Sequence, residues 1–234
     1  MVMIYDFDGT LTPYSLPQYE IFKKCGYSAE DVQVKVAEEM KKGADNIYTA
    51  YFKCFRDILK ENNIKFSKEN ICLGANKLVY NKGLFDFLEK YQSSKSGVKN
   101  YIVTSGIIDY IDSTEVRKYF DGVYGVILDY DGKKDDYLLT DKGKVDAIKT
   151  IQNKNLDNDI IYFGDGFTDK YAFEYVHSIG GKTVFVGSGE GSLYYYNEMN
   201  KNKIIDYYFE ADFSLNGKID KFISGVIEKN NEEK

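Results

Sequence analysis

The chain has 234 residues, with 31 Lys and Arg against 37 Asp and Glu, which gives a formal net charge of −6 at pH 7. A hydrophobic content of 43% and a charged content of 29% are those of a globular protein, so a wholly disordered chain is excluded. The acidic balance has no basic cluster, and no apolar run approaches the length of a membrane span. We therefore expect neither a nucleic acid nor a membrane as a partner.

The cysteine and histidine content narrows the possible site chemistry. Cys25, Cys54 and Cys72 lie far apart with no CxxC spacing, a pattern typical of reduced thiols. The chain has a single histidine, His177, which excludes histidine-rich metal sites. The first residues contain neither a basic segment nor an apolar stretch long enough for a signal peptide. From these features we expect a cytoplasmic protein.

The first part of the chain predicts one strand followed by helices. Residues 2–5 are apolar and β-prone and run directly into an acidic turn, which indicates a buried strand. From about residue 13 to residue 80 the apolar residues recur at helical spacing, and no strand is predicted. Ser28 and Asp31 resemble a capping box, and Ser67 is a candidate cap of a further helix.

After Gly83 the pattern alternates between strands and helices. We predict helices at 84–91, 145–151 and 219–227, and strands at 99–104, 123–128, 159–163, 182–186 and 205–209. A hairpin is predicted between 123–128 and 137–139, a flexible loop at 187–192, and a frayed tail at 228–234. Alternating strands and helices predict an α/β fold with a parallel sheet covered on both faces.

Asp6 and Asp8 follow the first predicted strand. Residues two apart on an extended chain point to the same side, roughly 6–7 Å apart, which leaves room for a phosphoryl group. One carboxylate can then attack while the other handles the proton of the leaving group. Gly9 permits the sharp turn that follows. The structural alternative is an ordinary acidic turn, because Asp-Gly pairs are common in turns.

Polar residues also follow two later strands. Ser105 and Gly106 follow one, and Asp165 and Asp169 follow another, four residues apart at an expected helix start. Ligands of open parallel sheets bind outside the carboxyl ends of the strands, so these residues are expected to meet Asp6 and Asp8. So many carboxylates cannot all ionise together without a cation, and an all-oxygen site suits Mg²⁺. For Asp169 alone, an acid at a helix start is the alternative.

A site for phosphate also needs a positive group, and two lysines are candidates. Lys142 and Lys144 both precede the helix that leads into the strand before Asp165. We favour Lys144, because Ile148 and Ile151 follow it at helical spacing on one apolar face. A solvated surface lysine is the alternative for either residue.

Together these segments resemble the motifs of the haloacid dehalogenase (HAD) superfamily. Residues 6–12 look like its first motif, DxDGTLT, and residues 164–169 look like its fourth. Ser105 with Gly106 resembles the second motif, and Lys144 resembles the third. The resemblance implies a Rossmann-like three-layer core with a parallel sheet at 1–12 and 81–234, and an inserted all-helical cap at 13–80.

The resemblance also implies an activity, that of an Mg²⁺-dependent phosphatase of the phosphoserine phosphatase-like branch, acting on a small phosphorylated metabolite. By analogy, Asp6 is the nucleophile that forms an aspartyl-phosphate, and Asp8 is the general acid and base. The implied metal site uses the Asp6 carboxylate, the Asp8 backbone carbonyl, Asp165, and Asp169 either directly or through water. The implied phosphate-binding groups are Ser105, the Gly106 N–H and Lys144.

The sequence departs from phosphoserine phosphatases at positions that matter for the substrate. Gly9 stands where they commonly have Ser, and Thr168 replaces a frequent Asn. Their cap carries an Arg for the substrate carboxylate, whereas the comparable helix here offers Lys53, with Arg56 further along. These differences argue against phosphoserine as the substrate. The alternatives for function are a phosphotransferase or phosphomutase of the same fold and a non-catalytic phosphometabolite-binding protein; either a monomer or a homodimer is compatible with the sequence.

Overall fold

The structure is a computed structural model, and it describes residues 1–14, 19–131, 141–156, 159–189 and 191–232. Its strands are β1 (Val2–Tyr5), β2 (Lys99–Ile107), β3 (Gly122–Val126), β4 (Ile160–Gly164), β5 (Lys182–Gly187) and β6 (Tyr207–Glu210). Its first helices are α1 (Glu20–Lys24), α2 (Ala29–Lys41), α3 (Ile47–Glu61), α4 (Lys68–Ile71), α5 (Leu84–Tyr91) and α6 (Ser93–Ser96). The later helices are α7 (Ile108–Asp112), α8 (Asp141–Lys154), α9 (Lys170–Ser178), α10 (Ser192–Met199) and α11 (Lys218–Glu232).

The strands form one parallel sheet in the order β3-β2-β1-β4-β5-β6. β1 lies in the middle, between β2 on one side and β4 on the other. The chain therefore changes its direction of winding at β1, and such a point opens a crevice at the carboxyl ends of the strands. The predicted α/β class with a parallel sheet is confirmed.

Helices cover both faces of the sheet, as the burial of β1 shows. Met3 and Tyr5 pack into one core cluster with α5 and α11, whereas Val2 and Ile4 pack into a second cluster with α8 and α9. All four side chains are fully buried, because alternate residues of a strand point to opposite faces. The result is a three-layer core of the kind expected for a sheet that is apolar on both sides.

The helices between β1 and α5 form a third core cluster. Every described element from residue 19 to residue 80 is helical, as the periodicity predicts. Ser28 and Asp31 form the predicted capping box at the start of α2, whereas Ser67 precedes α4 without a side-chain capping bond. This cluster also contains residues from the carboxyl edge of the sheet, namely Ile107, Tyr110, Val126 and Leu128. The inserted helices are therefore packed onto the edge where ligands of such sheets bind.

Several predicted boundaries are wrong. β2 runs to Ile107 rather than to residue 104, with a shift in its pairing to β3 between Val103 and Ile107, so Ser105 and Gly106 lie inside its irregular end. α8 begins at residue 141, and β6 spans 207–210 instead of 205–209. The predicted strand at 137–139 lies outside the described residues.

The tail also differs from its prediction. α11 continues to Glu232 instead of fraying from residue 228, and Ile219, Ile223 and Val226 bury one face of this helix against the sheet. The predicted loop at 187–192 is shorter than expected, because α10 already begins at Ser192. The three cysteines are free thiols. Within the described ranges no helix is both long and apolar enough to cross a membrane.

Candidate active site

The carboxyl ends of β1 and β4 bring Asp6 and Asp165 together. The two strands pair with Tyr5 opposite Phe163, and the Asp6 N–H donates to the Phe163 carbonyl at 2.8 Å. Asp169 follows one helical turn after Asp165. Single carboxylate oxygens of Asp6, Asp165 and Asp169 lie within 4.8 Å of one another, and all three residues are buried.

Lys144, in the first turn of α8, joins this group. Its Nζ donates to Asp6 Oδ1 at 2.9 Å and to Asp169 Oδ1 at 2.6 Å, and its side chain is only 1% exposed. Lys142 is exposed, and its Nζ lies 5.8 Å from the centre of the Tyr171 ring. Of the two candidate lysines, the structure brings Lys144 to the carboxylates and leaves Lys142 at the surface. We call Asp6, Lys144, Asp165 and Asp169 the charged cluster.

Asp169 accepts hydrogen bonds on both of its carboxylate oxygens. Its Oδ1 accepts from Lys144 and from the Tyr162 hydroxyl at 2.6 Å, and its Oδ2 accepts from the N–H groups of Asp165 at 3.1 Å and Gly166 at 3.2 Å. Such bonds use the accepting capacity of both oxygens. Asp169 thus fixes the lysine and the loop after β4. Tyr162 was missed in the sequence, because it stands inside an apolar strand pattern.

Two glycines make room for the aspartates. Gly9 has φ +82°, and a Cβ built on it would lie 2.0 Å from Asp165 Oδ2. A Cβ on Gly164 would lie 2.6 Å from Asp169 Cγ. Any side chain at either position would displace a carboxylate of the cluster, and at Gly9 it would also meet backbone strain. Gly9 therefore serves the site itself as well as the turn.

Burial and neighbouring charges perturb the ionisation of the site. Burial and the charge of Asp169 raise the pKa of Asp6 to about 6, against the opposing pull of the Lys144 ammonium. Burial alone would lower the pKa of Lys144, but the carboxylates of Asp169 and Asp6 outweigh it and hold that pKa above its ordinary value. Burial, followed by the charge of Asp6, raises the pKa of Asp8 well above its usual range. Asp8 is thus suited to carry a proton while Lys144 stays charged.

Asp8 lies beside the charged cluster rather than within it. A Cβ on Gly106 would lie 3.4 Å from Asp8 Oδ2, which places this carboxylate against the irregular end of β2. The Gly106 N–H donates to Thr104 Oγ1 at 3.0 Å, and the Ser105 hydroxyl donates to the Tyr48 hydroxyl of α3 at 3.3 Å. The structure therefore brings every site residue predicted from the sequence to one edge of the sheet, with both β2 groups engaged by protein partners.

The donor set fits a hard divalent cation. Three buried carboxylates face one ammonium, so the charged cluster holds an excess of negative charge that a cation would neutralise. Oxygen ligands of this kind suit Mg²⁺, which keeps several waters. Asp6 and Asp165 fit as direct ligands, whereas both oxygens of Asp169 are already used by donors.

Comparisons with known proteins establish the fold. No protein-family model and no curated protein sequence matches the chain. Among solved structures, a HAD family hydrolase from Salmonella enterica serovar Typhi is 14% identical, with a TM-score of 0.64 over 93% of this chain and 72% of that one. A substrate-bound phosphoserine phosphatase is 17% identical, with a TM-score of 0.63 over 90% of this chain and 93% of its own. A gene product of Archaeoglobus fulgidus is 12% identical, with a TM-score of 0.67 over 99% and 84%. The chain therefore has the fold of the HAD hydrolases and phosphoserine phosphatases.

Proposed function

We propose that this protein is an Mg²⁺-dependent phosphatase that hydrolyses a phosphomonoester of a small metabolite through an aspartyl-phosphate. The observation that carries the proposal is the buried Lys144, whose Nζ bridges Asp6 and Asp169 beside Asp165. A structural salt bridge needs only one carboxylate. Here a buried lysine and several buried acids lie together at the ligand-binding edge of the sheet, which a structural role alone does not require. The shared fold supports the same conclusion.

Asp6 is placed to attack the phosphorus atom. In the first step a bond forms between an Asp6 carboxylate oxygen and phosphorus, and the bond from phosphorus to the ester oxygen breaks. Asp8 donates its proton to that leaving oxygen, which its raised pKa allows. The covalent intermediate divides one difficult displacement into two easier ones.

Hydrolysis of the intermediate uses the same two residues. Asp8, now ionised, takes a proton from a water whose oxygen attacks phosphorus, and Asp6 is released as the carboxylate. Lys144, the Ser105 hydroxyl and the Gly106 N–H bind the phosphoryl oxygens during both steps. On substrate binding, Ser105 and Gly106 exchange their protein partners, Tyr48 and Thr104, for these oxygens.

Mg²⁺ would be held by the Asp6 and Asp165 carboxylates and the Asp8 backbone carbonyl, whereas Asp169, whose oxygens already accept from four donors, would hold Lys144 and the loop after β4 in place. When bound, the ion neutralises negative charge on the phosphoryl group. We also propose that residues 13–80 form a cap domain, because their helices pack onto the edge of the sheet that carries the site. The cap would exclude water from the reacting atoms.

The test is release of inorganic phosphate by the purified protein from 4-nitrophenyl phosphate and a panel of phosphorylated metabolites, with Mg²⁺ and with a chelator. We expect phosphate release with Mg²⁺ and none in the chelator. Transfer to an added alcohol without phosphate release would indicate a phosphotransferase instead. A rise in melting temperature with phosphorylated ligands, but no turnover, would indicate a binding protein. Full activity in the chelator would refute the metal dependence.

A further inference from the structure

Three tyrosines lie where the inserted helices meet the end of β2, and we call them the tyrosine cluster. They are Tyr19, which precedes α1, Tyr51 on α3, and Tyr110 on α7. Tyr19 and Tyr110 are buried, and their rings meet edge to face at 4.6 Å. The cluster therefore joins the inserted helices to the element that directly follows the phosphate-binding end of β2.

The hydroxyls of these tyrosines stay in their neutral form. Burial raises the pKa of each, and the negative charge of Asp8 adds to the rise in all three. The Tyr19 hydroxyl accepts from the Ile107 N–H at 3.4 Å. The hydroxyls of Tyr51 and Tyr110 are fully buried and have no hydrogen-bond partner among the residues that the structure describes. Because a buried hydroxyl without a partner destabilises a fold, these two groups point to a ligand that completes them.

Two of the three cations of α3 have partners outside the tyrosine cluster. Arg56 stacks on the Phe66 ring, with its guanidinium carbon 4.6 Å from the ring centre. Lys53 pairs with Glu39 at 3.0 Å and with Asp57 at 2.7 Å, on the exposed side of the helix. These contacts lie outside the tyrosine cluster, whereas Tyr48 of the same helix contacts the proposed phosphate-binding Ser105.

Tyr48, three residues before Tyr51, extends this uncharged surface. Residues three apart lie on the same face of a helix, so Tyr48 stands beside Tyr51, and both are half-buried. The Tyr48 hydroxyl accepts from Ser105 at 3.3 Å, which brings the phenol face directly against a phosphate-binding group. A phosphoryl group held by Ser105 would thus have its ester oxygen and alcohol next to neutral hydroxyls.

We propose that the tyrosine cluster binds the alcohol part of the phosphomonoester, and that this alcohol is uncharged and carries several hydroxyls, as in a sugar or polyol phosphate. The inference rests on the proposed phosphatase function. Tyrosine hydroxyls both donate to and accept from neutral hydroxyls. A substrate carboxylate or ammonium would be buried against uncharged phenols, because the tyrosine cluster itself contains no charged side chain.

The first measurement compares two esters of equal carbon number. Glycerol 3-phosphate has a neutral, hydroxylated alcohol, whereas phosphoserine has a charged one, and hexose phosphates extend the neutral series. We expect kcat/KM for glycerol 3-phosphate or the hexose phosphates to exceed that for phosphoserine by at least about tenfold, the equivalent of one well-made polar contact. A preference for phosphoserine would overturn the inference while leaving the phosphatase function intact.

The second measurement removes single hydroxyls with Tyr51→Phe and Tyr110→Phe. Each change should lower kcat/KM for the preferred hydroxylated ester by about 3- to 10-fold, the range for one neutral hydrogen bond. The loss on 4-nitrophenyl phosphate, which has no hydroxyl on its alcohol, should be clearly smaller. The melting temperature should stay level or rise, because the lost hydroxyl has no protein partner.

Tyr80→Phe is the matched control. The Tyr80 hydroxyl is also buried, but the charge that adds to burial in raising its pKa to about 12 is that of Glu115. This variant should keep the wild-type ratio between the two kinds of ester. Equal losses on hydroxylated and aryl esters in the Tyr51 and Tyr110 variants, or a lower melting temperature alone, would overturn the inference. No phosphate release from any ester by the wild type would refute the proposed function and the inference with it.

Discussion

The charged cluster and the tyrosine cluster lie at the same edge of the sheet and are built in opposite ways. In the charged cluster Lys144 bridges two carboxylates, and Asp169 accepts from donors on both of its oxygens. In the tyrosine cluster the groups are neutral, and two buried hydroxyls have no partner within the described part of the chain. The side chains of the first region therefore hold one another in place without substrate, whereas two hydroxyls of the second have no described partner.

This contrast separates the two tasks that the site is proposed to perform. Phosphoryl transfer depends on fixed charges at fixed positions, and a core sheet with buried partners supplies them before substrate arrives. Recognition of the alcohol depends on groups whose hydrogen bonds are made only by the right ligand. Changes in the charged cluster should therefore affect every ester, whereas changes in the tyrosine cluster should affect some esters more than others.

The largest effect is expected for Asp6→Asn, which tests whether a change in the charged cluster affects every ester. An amide oxygen cannot form the aspartyl-phosphate, so turnover of all esters should fall by about four orders of magnitude or more. Phosphate release is measured for an aryl ester and a sugar ester side by side, with a melting curve to confirm that the variant is folded. Near-normal activity on either ester would remove Asp6 as the nucleophile.

Lys144→Met should have the next largest effect. Losing one preorganised donor to the phosphoryl group typically lowers the rate by about 10²–10³-fold. Asp6 and Asp169 would also lose their buried counterion, which costs about 3–5 kcal/mol of unfolding free energy. Chemical denaturation and phosphate release measure the two effects. Lys142→Met, at an exposed position, should behave as wild type.

The stability of the Lys144 variant should depend on pH in a defined direction. The pKa of Asp6 is about 6 in the folded wild type, above its ordinary value of 3.8, and removing the ammonium can only raise it further. The folded state then binds protons more tightly than the unfolded state, so stability increases as the pH falls towards 4. A melting temperature of Lys144→Met that fell as the pH was lowered from 7 to 5 would contradict this ionisation scheme.

Asp8→Asn sharpens the comparison, because the proposed role of Asp8 is to transfer a proton to the alcohol of the ester. A general acid contributes about 10²–10⁴-fold, and it contributes less when the leaving group is good. Turnover of a sugar or glycerol phosphate should therefore fall much more than turnover of 4-nitrophenyl phosphate. Equal losses on the two kinds of ester would count against Asp8 as the proton donor.

Asp165→Ala tests the metal. The activity of the variant should fall by at least the roughly 10–100-fold that is typical when a residue supporting a metal is lost. Activity should recover in part as the Mg²⁺ concentration is raised, because water can replace one lost carboxylate. In the wild type, Mg²⁺ should raise the melting temperature more at pH 7.5 than at pH 5, because a proton on Asp6 competes with the ion below about pH 6. An Asp165 variant that is equally inactive at all Mg²⁺ concentrations would point to a structural role.

The sequence was sufficient to predict the sheet and the residues at its edge. β1 and α5 have the predicted bounds, because a short apolar run before Asp6 and the helical spacing after Gly83 leave no competing pattern. Strand order and the approach of Lys144 to Asp6 depend on long-range packing. The polar residues were nevertheless predicted to lie together, because they follow parallel strands whose carboxyl ends share one edge of the sheet.

Three features of the structure could not be predicted from the sequence. The end of β2 is irregular, so its bounds follow from pairing with β3 and not from local propensity. In the sequence, Tyr51 and Tyr110 look like members of apolar helix faces, and only the structure shows that their buried hydroxyls have no described partner. Tyr162 is hidden in the same way inside β4.

The smallest effect is expected for Tyr162→Phe. This variant tests whether the charged cluster depends on the hydrogen bond from the Tyr162 hydroxyl to Asp169. The variant removes one of the donors to Asp169 and leaves Lys144 and the two N–H groups in place. A hydrogen bond to a charged group contributes about 1.5–3 kcal/mol, so stability should fall by that amount. Because Asp169 positions Lys144, kcat/KM should fall by about 3- to 10-fold for aryl and sugar esters alike.

Tyr5→Phe is the matched control for this last change. Tyr5 is an equally buried strand tyrosine on the other face of the sheet, and its hydroxyl donates to the neutral Asn100 amide oxygen at 3.4 Å. Its loss should cost less stability and leave the rates unchanged, because no charged partner and no site residue is involved. If both variants lost stability equally and neither altered kcat/KM, Tyr162 would be an ordinary core residue. If Tyr162→Phe affected sugar esters more than aryl esters, Tyr162 would take part in recognition of the alcohol. The proposed separation between phosphoryl transfer in the charged cluster and alcohol recognition in the tyrosine cluster would then be wrong at this residue.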